Sequence, residues 1–442
     1  MISEKKLIIF VFFIIYIISK IKLNINGNDI NQCYLEFQNL LNLTFNNYIN
    51  KAIRIGIYTR SLSDGGIQRI TSKLLDSLDG IKIFKLYLFT QREREENEFY
   101  LSGNIIRIVI KDYNHEKYLI KRILQNKIDI FIYQFPKENE IKALNNLKNV
   151  KIIYYIHSNV FFWFYSPQRK VLNIYKEYIN SKYVISLTPI ESNYLFKKWG
   201  INSILFHNLL TYDYDNIIPS NLSENKILLI GRGRCKYKRF ELGILAIEYI
   251  KNQLSDIKLT IISKDIGINY LKNYIINLNL ENYIEIANYS SDPSFYYKSA
   301  SINYLTSISE SYSMVLSETK LYGIPSILLG LDYLSLSKNG TIIIYDDYPE
   351  TLAKMSLKLL LNKLYKKKLS KESRNSVRNI KNINLINDWK KLLLLVYNGY
   401  ENYTKYFNPK ADNTKELKTI LIRQINLMNR RINDLNNIKS VS

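Results

Sequence analysis

Short, mostly apolar runs alternate along the chain with longer stretches whose apolar residues recur every three or four positions. The first half places such runs at Ile53–Tyr58, Phe84–Phe89, Ile105–Ile110, Ile128–Tyr133, Lys151–Ile156 and Tyr183–Leu187. A helix is predicted from Ile67 to Leu78, and helical stretches separate most of the other runs. Strands rich in Ile, Tyr and Phe with helices between them predict a parallel sheet covered on both faces. The stretch Thr211–Ser223, with Asp, Asn, Pro and Ser, reads as a linker, and the pattern then restarts. Its second round has runs at Ile227–Ile230, Lys258–Ser263, Ile284–Ala287, Ile302–Thr306, Ser326–Leu329 and Thr341–Ile344, with a helix over Phe240–Ile250. The expectation is an α/β protein of two tandem doubly wound, Rossmann-like domains facing across a cleft. Ligands of such sheets bind at the carboxyl ends of the strands.

The flanks add three elements. Residues Leu7 to Ile18 are uninterrupted apolar, with Glu4, Lys5 and Lys6 before them and Lys20 and Lys22 after. With snorkelling lysines counted, the segment approaches the ~20 residues needed to span a bilayer. The core is short enough to be a cleaved signal peptide, but no small-x-small site follows it, which favours an uncleaved anchor. Beyond Tyr348 the pattern is helical, and Trp389–Tyr397 is a compact apolar helix. In the tail, Leu417, Leu421, Ile425, Met428, Ile432 and Leu435 advance by three or four. That stripe suits a short coiled coil, giving weak self-association, or a terminal helix laid on a domain surface. The expected organisation is therefore a signal anchor at 1–23, a polar stalk at 24–51 and a first Rossmann-like domain at 52–210. A second Rossmann-like domain follows at 222–385, then helices at 386–442 that can cross back to the first domain.

Charge narrows the class of partner. The 442 residues carry a formal net charge of +23, which suits nucleic acid, a membrane surface or anionic substrates. No aromatic-basic RNA-binding signature, zinc-finger spacing or basic-helix-plus-heptad pattern is present, so nucleic acid is not expected as a partner and a membrane is. Single-pass localisation follows, in the Golgi or endoplasmic reticulum if the chain is eukaryotic. Cys33 and Cys235 are the only cysteines, too few for a disulfide framework or a cysteine metal site. No metal site is expected.

Chemistry concentrates at a few places. Glu310 and Glu318 lie eight positions apart, the first after an apolar strand and the second inside a predicted helix. At about 1.5 Å of rise per residue, two such acids reach points roughly 10 Å apart on one ligand, the separation of the hydroxyl clusters of a nucleotide sugar. The alternative is an acid favoured by a helix dipole and another on a solvated face. Gly65 and Gly66, in Ser63-Asp64-Gly65-Gly66-Ile67-Gln68-Arg69, allow close backbone approach at a helix start, or simply a tight turn. Gly-x-Gly-x-x-Gly is absent there, against an ordinary dinucleotide site. The loop Gly231-Arg232-Gly233-Arg234-Cys235-Lys236-Tyr237-Lys238-Arg239 gathers five cations at a strand end, suited to a diphosphate, or is a solvated basic loop. His157 ends an apolar strand and is either a contact for a reacting sugar or a satisfied core residue. His115 looks incidental and His207 structural. Asp346-Asp347 carries little weight. The cluster Phe161-Phe162-Trp163-Phe164-Tyr165 suits lipid or an acceptor groove as well as it suits a buried core.

Together these parts resemble the retaining glycosyltransferases of the GT-B fold, in particular glycosyltransferase family 4, over roughly residues 52 to 400. Glu310 and Glu318, followed by Gly323-Ile324-Pro325, match the family's E-x7-E motif, and the resemblance assigns Glu310 to donor-sugar hydroxyls and Glu318 to the ribose. Arg232 and Lys238 match its Arg-x5-Lys pair, on the donor diphosphate. Gly65 and Gly66 match its glycine loop, near the phosphates and acceptor. His157 matches its strand-end histidine, near the transferring sugar. The turn Tyr312 to Val315, including Ser313, Met314 and Val315, would turn amides toward the diphosphate. Where the family often has Gly after the first Glu, this chain has Ser311, which bears on sugar identity.

The resemblance implies transfer of a hexose, with retention, from a nucleotide diphosphate sugar to a glycan or lipid-linked acceptor. It implies no metal or other cofactor, and no protein nucleophile: Glu310 and His157, the residues expected at the reacting sugar, position and stabilise. A non-catalytic nucleotide-sugar or glycan-binding protein on the same fold is the alternative, and a basic nucleic-acid binder is a third reading.

Overall fold

The computed structural model describes residues 52–399, except 64, 112–114, 160, 162–169, 232–236, 264–266, 289 and 291, together with residues 414–441. The expected anchor and stalk, Arg232, Cys33 and Cys235 lie outside the described residues. No helix among the described residues is long and apolar enough to cross a membrane.

The first domain holds strands β1 (Ile53–Thr59), β2 (Phe84–Thr90), β3 (Ile106–Val109), β4 (Ile130–Tyr133), β5 (Lys151–Tyr155), β6 (Tyr183–Ser186) and β7 (Ser203–Leu205). All pair in parallel, in the order β3-β2-β1-β4-β5-β6-β7. Between them run helices α1 (Gly66–Asp79), α2 (His115–Gln125), α3 (Glu138–Asn145), α4 (Lys170–Ile179) and α5 (Pro189–Trp199). Strands β4 and β6 are buried at every position, as expected of a parallel sheet covered on both faces. Close packing explains one glycine: a Cβ on Gly56 would lie 2.8 Å from Phe131 and 2.9 Å from Phe89, two rings that meet edge to face beneath it.

The second domain repeats the plan with β8 (Lys226–Ile230), β9 (Lys258–Ser263), β10 (Ile284–Asn288), β11 (Ile302–Leu305), β12 (Ser326–Leu329) and β13 (Thr341–Ile344). Their order is β10-β9-β8-β11-β12-β13, again all parallel. The helices are α6 (Phe240–Ile250), α7 (Ile268–Asn277), α8 (Ser294–Ser299), α9 (Met314–Leu321), α10 (Pro349–Leu361) and α11 (Lys363–Val377). In each sheet the chain winds outward one way from the central strand and then returns to wind the other way. That reversal leaves a crevice at the carboxyl ends of the strands on either side of it. The two Rossmann-like sheets expected from the apolar pattern are therefore present.

Two terminal helices tie the halves together. In α12 (Asn382–Tyr397) the buried Trp389 meets Tyr155 and Phe206 of the first domain edge-on, at 5.4 and 5.1 Å. The Asn382 side chain accepts from the Leu210 amide at 2.8 Å and donates to the Leu210 carbonyl at 3.0 Å. In α13 (Thr414–Val441), Leu427 and Met428 are buried. Gln424 donates to the carbonyl of Gly330 at 2.5 Å and to Asp332 at 2.7 Å. This part of the apolar stripe is thus spent on the chain's own second domain.

Candidate active site

A cavity of about 400 Å³ opens between the carboxyl ends of the two sheets. Gly65, Gly66, His157, Lys238, Glu310, Ser313, Met314, Val315 and Glu318 all line it, although they come from separate segments of the chain. Arg60, Arg69, Phe135 and Asn208 join them from the first domain and its exit.

Two helix starts face each other across this space. Gly65 precedes α1 at φ 96, a left-handed conformation that disfavours any side chain, and no side chain caps the helix. Ser313, at φ 61, precedes α9 and accepts from the Leu316 amide. A Cβ on Gly66 would approach Met314 to 3.6 Å, so the two helix ends nearly touch. Both present free amides and the positive end of a dipole to the cavity, an arrangement that favours an anion.

Lys238 supplies a full positive charge beside them. Its Nζ pairs with Glu310, which also accepts from the Ser307 hydroxyl at 2.7 Å. The backbone around Lys238 is pinned. Its carbonyl accepts from Thr306 Oγ1 at 2.5 Å, and Arg239, in the left-handed region at φ 49, donates to the Thr306 carbonyl at 2.8 Å. Arg239 is not a cavity cation: it pairs with Asp347 at 2.7 Å, as does Arg431 of α13. Burial raises the Asp347 pKa, but the bonds from Arg431 and the charge of Arg239 outweigh it and hold the carboxyl at about 2. Asp347, one of the acidic pair that carries little weight in the sequence, thus braces the end of the basic loop.

Glu318 is 2 % exposed, and each of its oxygens accepts at least one hydrogen bond. Arg69 of α1 and Thr211 both donate to its Oε1 at 2.6 Å, and Tyr297 donates to Oε2 at 2.6 Å. One carboxylate therefore joins the first domain, the linker and the second domain. Arg69 closes the segment that begins with the paired glycines, one helical turn past Gly66. That spacing is the signal in the sequence for its facing the cavity.

His157 is partly buried, and desolvation lowers its pKa to about 3, so the ring is neutral at physiological pH. The Gln134 amide nitrogen donates to the Tyr58 carbonyl and to Thr71, leaving Gln134 Oε1 to face His157 Nε2 at 2.9 Å. That assignment puts the imidazole proton on Nε2 and makes Nδ1 the acceptor. Above it, Ser311 Oγ donates to the His157 carbonyl at 2.5 Å, a bond across the cleft. Glycine at 311 could not make it. Ser311→Gly is expected to cost about 1 kcal/mol of stability, read as a lower denaturation midpoint in urea.

The remaining candidates fall outside the cavity. His115 is far from incidental: its Nε2 meets Tyr58 Oη at 2.9 Å and its Nδ1 lies 3.0 Å from Glu140. His207 is partly buried, desolvation lowers its pKa, and its ring lies edge-on to Tyr312 at 6.0 Å. Phe161 is core, packed on Tyr333 at 4.9 Å, while 162–165 lie outside the described residues. Among the described residues no group of three or more His, Cys, Asp or Glu side chains is placed to hold a metal ion.

Residues 213–376 match the family model for glycosyl transferases group 1. Over that segment the chain is similar to group 1 glycosyl transferases, and its two facing sheets form a GT-B fold. An uncharacterized glycosyltransferase of Haemophilus influenzae is 26 % identical over 219 residues, covering 48 % of this chain and 60 % of that protein. Among solved structures, sucrose-phosphate synthase of Thermosynechococcus elongatus superposes with a TM-score of 0.66 at 14 % identity, over 78 % of this chain and 99 % of that one. HepE of Anabaena, solved with UDP and glucose, does so with a TM-score of 0.63 at 12 % identity, over 77 % and 99 %. At such identities the likeness is one of fold. The matched glycosyltransferase segment runs from the linker through α11, so it contains Lys238, Glu310 and Glu318. The first domain supplies the opposite wall.

Proposed function

We propose that the chain is a retaining glycosyltransferase of family 4, moving a hexose from a nucleotide diphosphate sugar to a glycan or lipid-linked acceptor. The observation that carries the reading is the single cavity in which two helix starts and Lys238 converge between Glu310 and Glu318. The cations and amides suit a diphosphate, and the two carboxylates suit the hydroxyls of the rings at either end of it.

In the proposed reaction the bond from the sugar's anomeric carbon to the diphosphate oxygen breaks as positive charge grows on the sugar. The acceptor oxygen bonds to the same face of that carbon, and its proton passes to the departing phosphate oxygen. Lys238, Arg232 and the amides of α1 and α9 stabilise the developing negative charge, where preorganised dipoles are most effective. Glu310 orients the sugar hydroxyls, and neutral His157 offers hydrogen-bonding contact without a competing charge. We propose that leaving-group stabilisation comes from these groups without a metal ion, a reading supported by the cationic partners that already engage both carboxylates. We further propose that the apolar segment at 7–18 anchors the chain at a membrane, supported by its composition and flanking lysines.

The test is a panel of nucleoside diphosphates and their sugars. One nucleoside diphosphate is expected to stabilise the protein by about 2.7 kcal/mol when present at 100 times its dissociation constant, read as a rise in Tm. Its sugar should be hydrolysed slowly, with the α anomer released first from an α-linked donor as followed by NMR. Stabilisation without turnover would leave a nucleotide-sugar-binding protein, and neither effect with any member would overturn the proposal.

A further inference from the structure

Arg60 stands apart from the other cations of the cleft. Lys238 is engaged by Glu310 and Arg69 by Glu318. Arg60 is exposed, lines the same cavity, and has no carboxylate partner among the described residues. It follows Thr59 at the carboxyl end of β1, an interior strand of the first sheet paired with β2 and β4. Its position is nevertheless built. The amides of Gln91 and Arg92 both donate to the Arg60 carbonyl, at 3.1 and 3.0 Å, which fixes its backbone. Its guanidinium carbon lies 5.2 Å from the centroid of the Phe135 ring.

That ring is a firm shelf. Phe135 is buried and packs edge-on against Tyr58 at 5.6 Å and Tyr133 at 6.5 Å. Those two stack on each other at 5.6 Å. Beneath them the Tyr58 hydroxyl meets His115, the Tyr133 hydroxyl donates to Glu140, and Lys137 donates to Glu140 at 2.6 Å. An arginine held against an aromatic ring keeps its donor fork in one plane with N–H groups to spare, the geometry that grips a carboxylate or phosphate with two bonds.

Taking the wall opposite the donor groups as the acceptor side, which rests on the proposed function, we infer that the acceptor carries an anionic group and that Arg60 reads it. The donor diphosphate already has the two helix starts and Lys238. A further cation on the first domain, without a carboxylate partner among the described residues, matches a charge brought by the second substrate. The chemistry is that of an oxyanion, a sugar carboxylate or a sugar phosphate.

The experiment compares methyl glucoside, methyl glucuronide and methyl glucoside 6-phosphate as acceptors at saturating donor. One of the anionic glycosides is expected to exceed the neutral one in kcat/KM by about 10- to 100-fold, the range of a hydrogen bond to a charged group. Which anion wins distinguishes a carboxylate-bearing from a phosphate-bearing acceptor. Arg60→Gln should collapse that ratio toward one, and Arg60→Lys, which keeps charge but loses the fork, should leave an intermediate ratio. Equal use of all three glycosides by the wild type, or an undiminished anion preference in Arg60→Gln, would overturn the inference. Calorimetric binding of the same three glycosides to wild type and Arg60→Gln measures the preference independently of turnover. A chain that binds the anion through Arg60 but turns over no donor would refute the enzyme reading and leave this one standing.

Discussion

Lys238→Met is expected to lower the rate of sugar transfer by about 10²- to 10³-fold, the cost of removing one preorganised group from a developing negative charge. The side chain ends in the cavity on a backbone pinned by Thr306 and Arg239, so its charge is in place before the leaving group forms. The fold should survive. Lys238 is only partly buried, and its partner Glu310 keeps the bond from Ser307 and some contact with solvent. The informative companion is Glu310→Gln. Because the two side chains are bonded to each other, their effects should not add: the double variant should lose much less than the product of the single losses. Rates for the four proteins with one donor give the result. Full turnover in Lys238→Met would remove the diphosphate assignment. Strict additivity would show that the pair does not act as a unit.

Much of this site is legible in the sequence because its chemistry is local. Glu310 and Glu318 sit on one loop and the helix it enters, and Gly65 and Gly66 sit in one turn, so spacing alone places each pair. Most strand boundaries are legible for the same reason, since buried parallel strands are written as short, mostly apolar runs. Strand β7 is not: Ser203–Leu205 is three residues long and too short for a periodicity. The partners of Glu318 are equally hidden. Arg69, Thr211 and Tyr297 come from the first domain, the linker and the second domain, and no pattern in one segment foretells a meeting of three. Asp347 shows the converse. An exposed-looking acid in a loop acquires its role only when α13 folds back and delivers Arg431 to it. His115 likewise gains its partners, Tyr58 and Glu140, from residues well separated from it along the chain.

Glu318 offers the sharpest separation of structural from functional role, because its carboxylate serves both. Glu318→Gln leaves Arg69 facing a neutral amide in a nearly dry site. Breaking such a pair by removing one partner costs about 3–5 kcal/mol, so a clear fall in Tm is expected. Arg69→Met should destabilise as well, since it strands the carboxylate with only Thr211 and Tyr297. Stability therefore cannot tell whether Glu318 also holds a ribose, but selectivity can. A carboxylate accepting from ribose hydroxyls prefers a ribonucleotide to its deoxy counterpart by roughly 10- to 100-fold, the value of a hydrogen bond to a charged group. Wild type should therefore bind UDP, or whichever nucleoside diphosphate proves active, more tightly than the 2′-deoxy or 3′-deoxy form by that margin. Glu318→Gln should lose most of the preference. Arg69→Met, which releases Oε1 from a competing donor, should keep or widen it. Calorimetric titrations at a temperature where all three proteins are folded decide the matter. If Glu318→Gln still discriminates ribose as well as wild type does, the residue is an inter-domain brace and the ribose must be read elsewhere in the cavity.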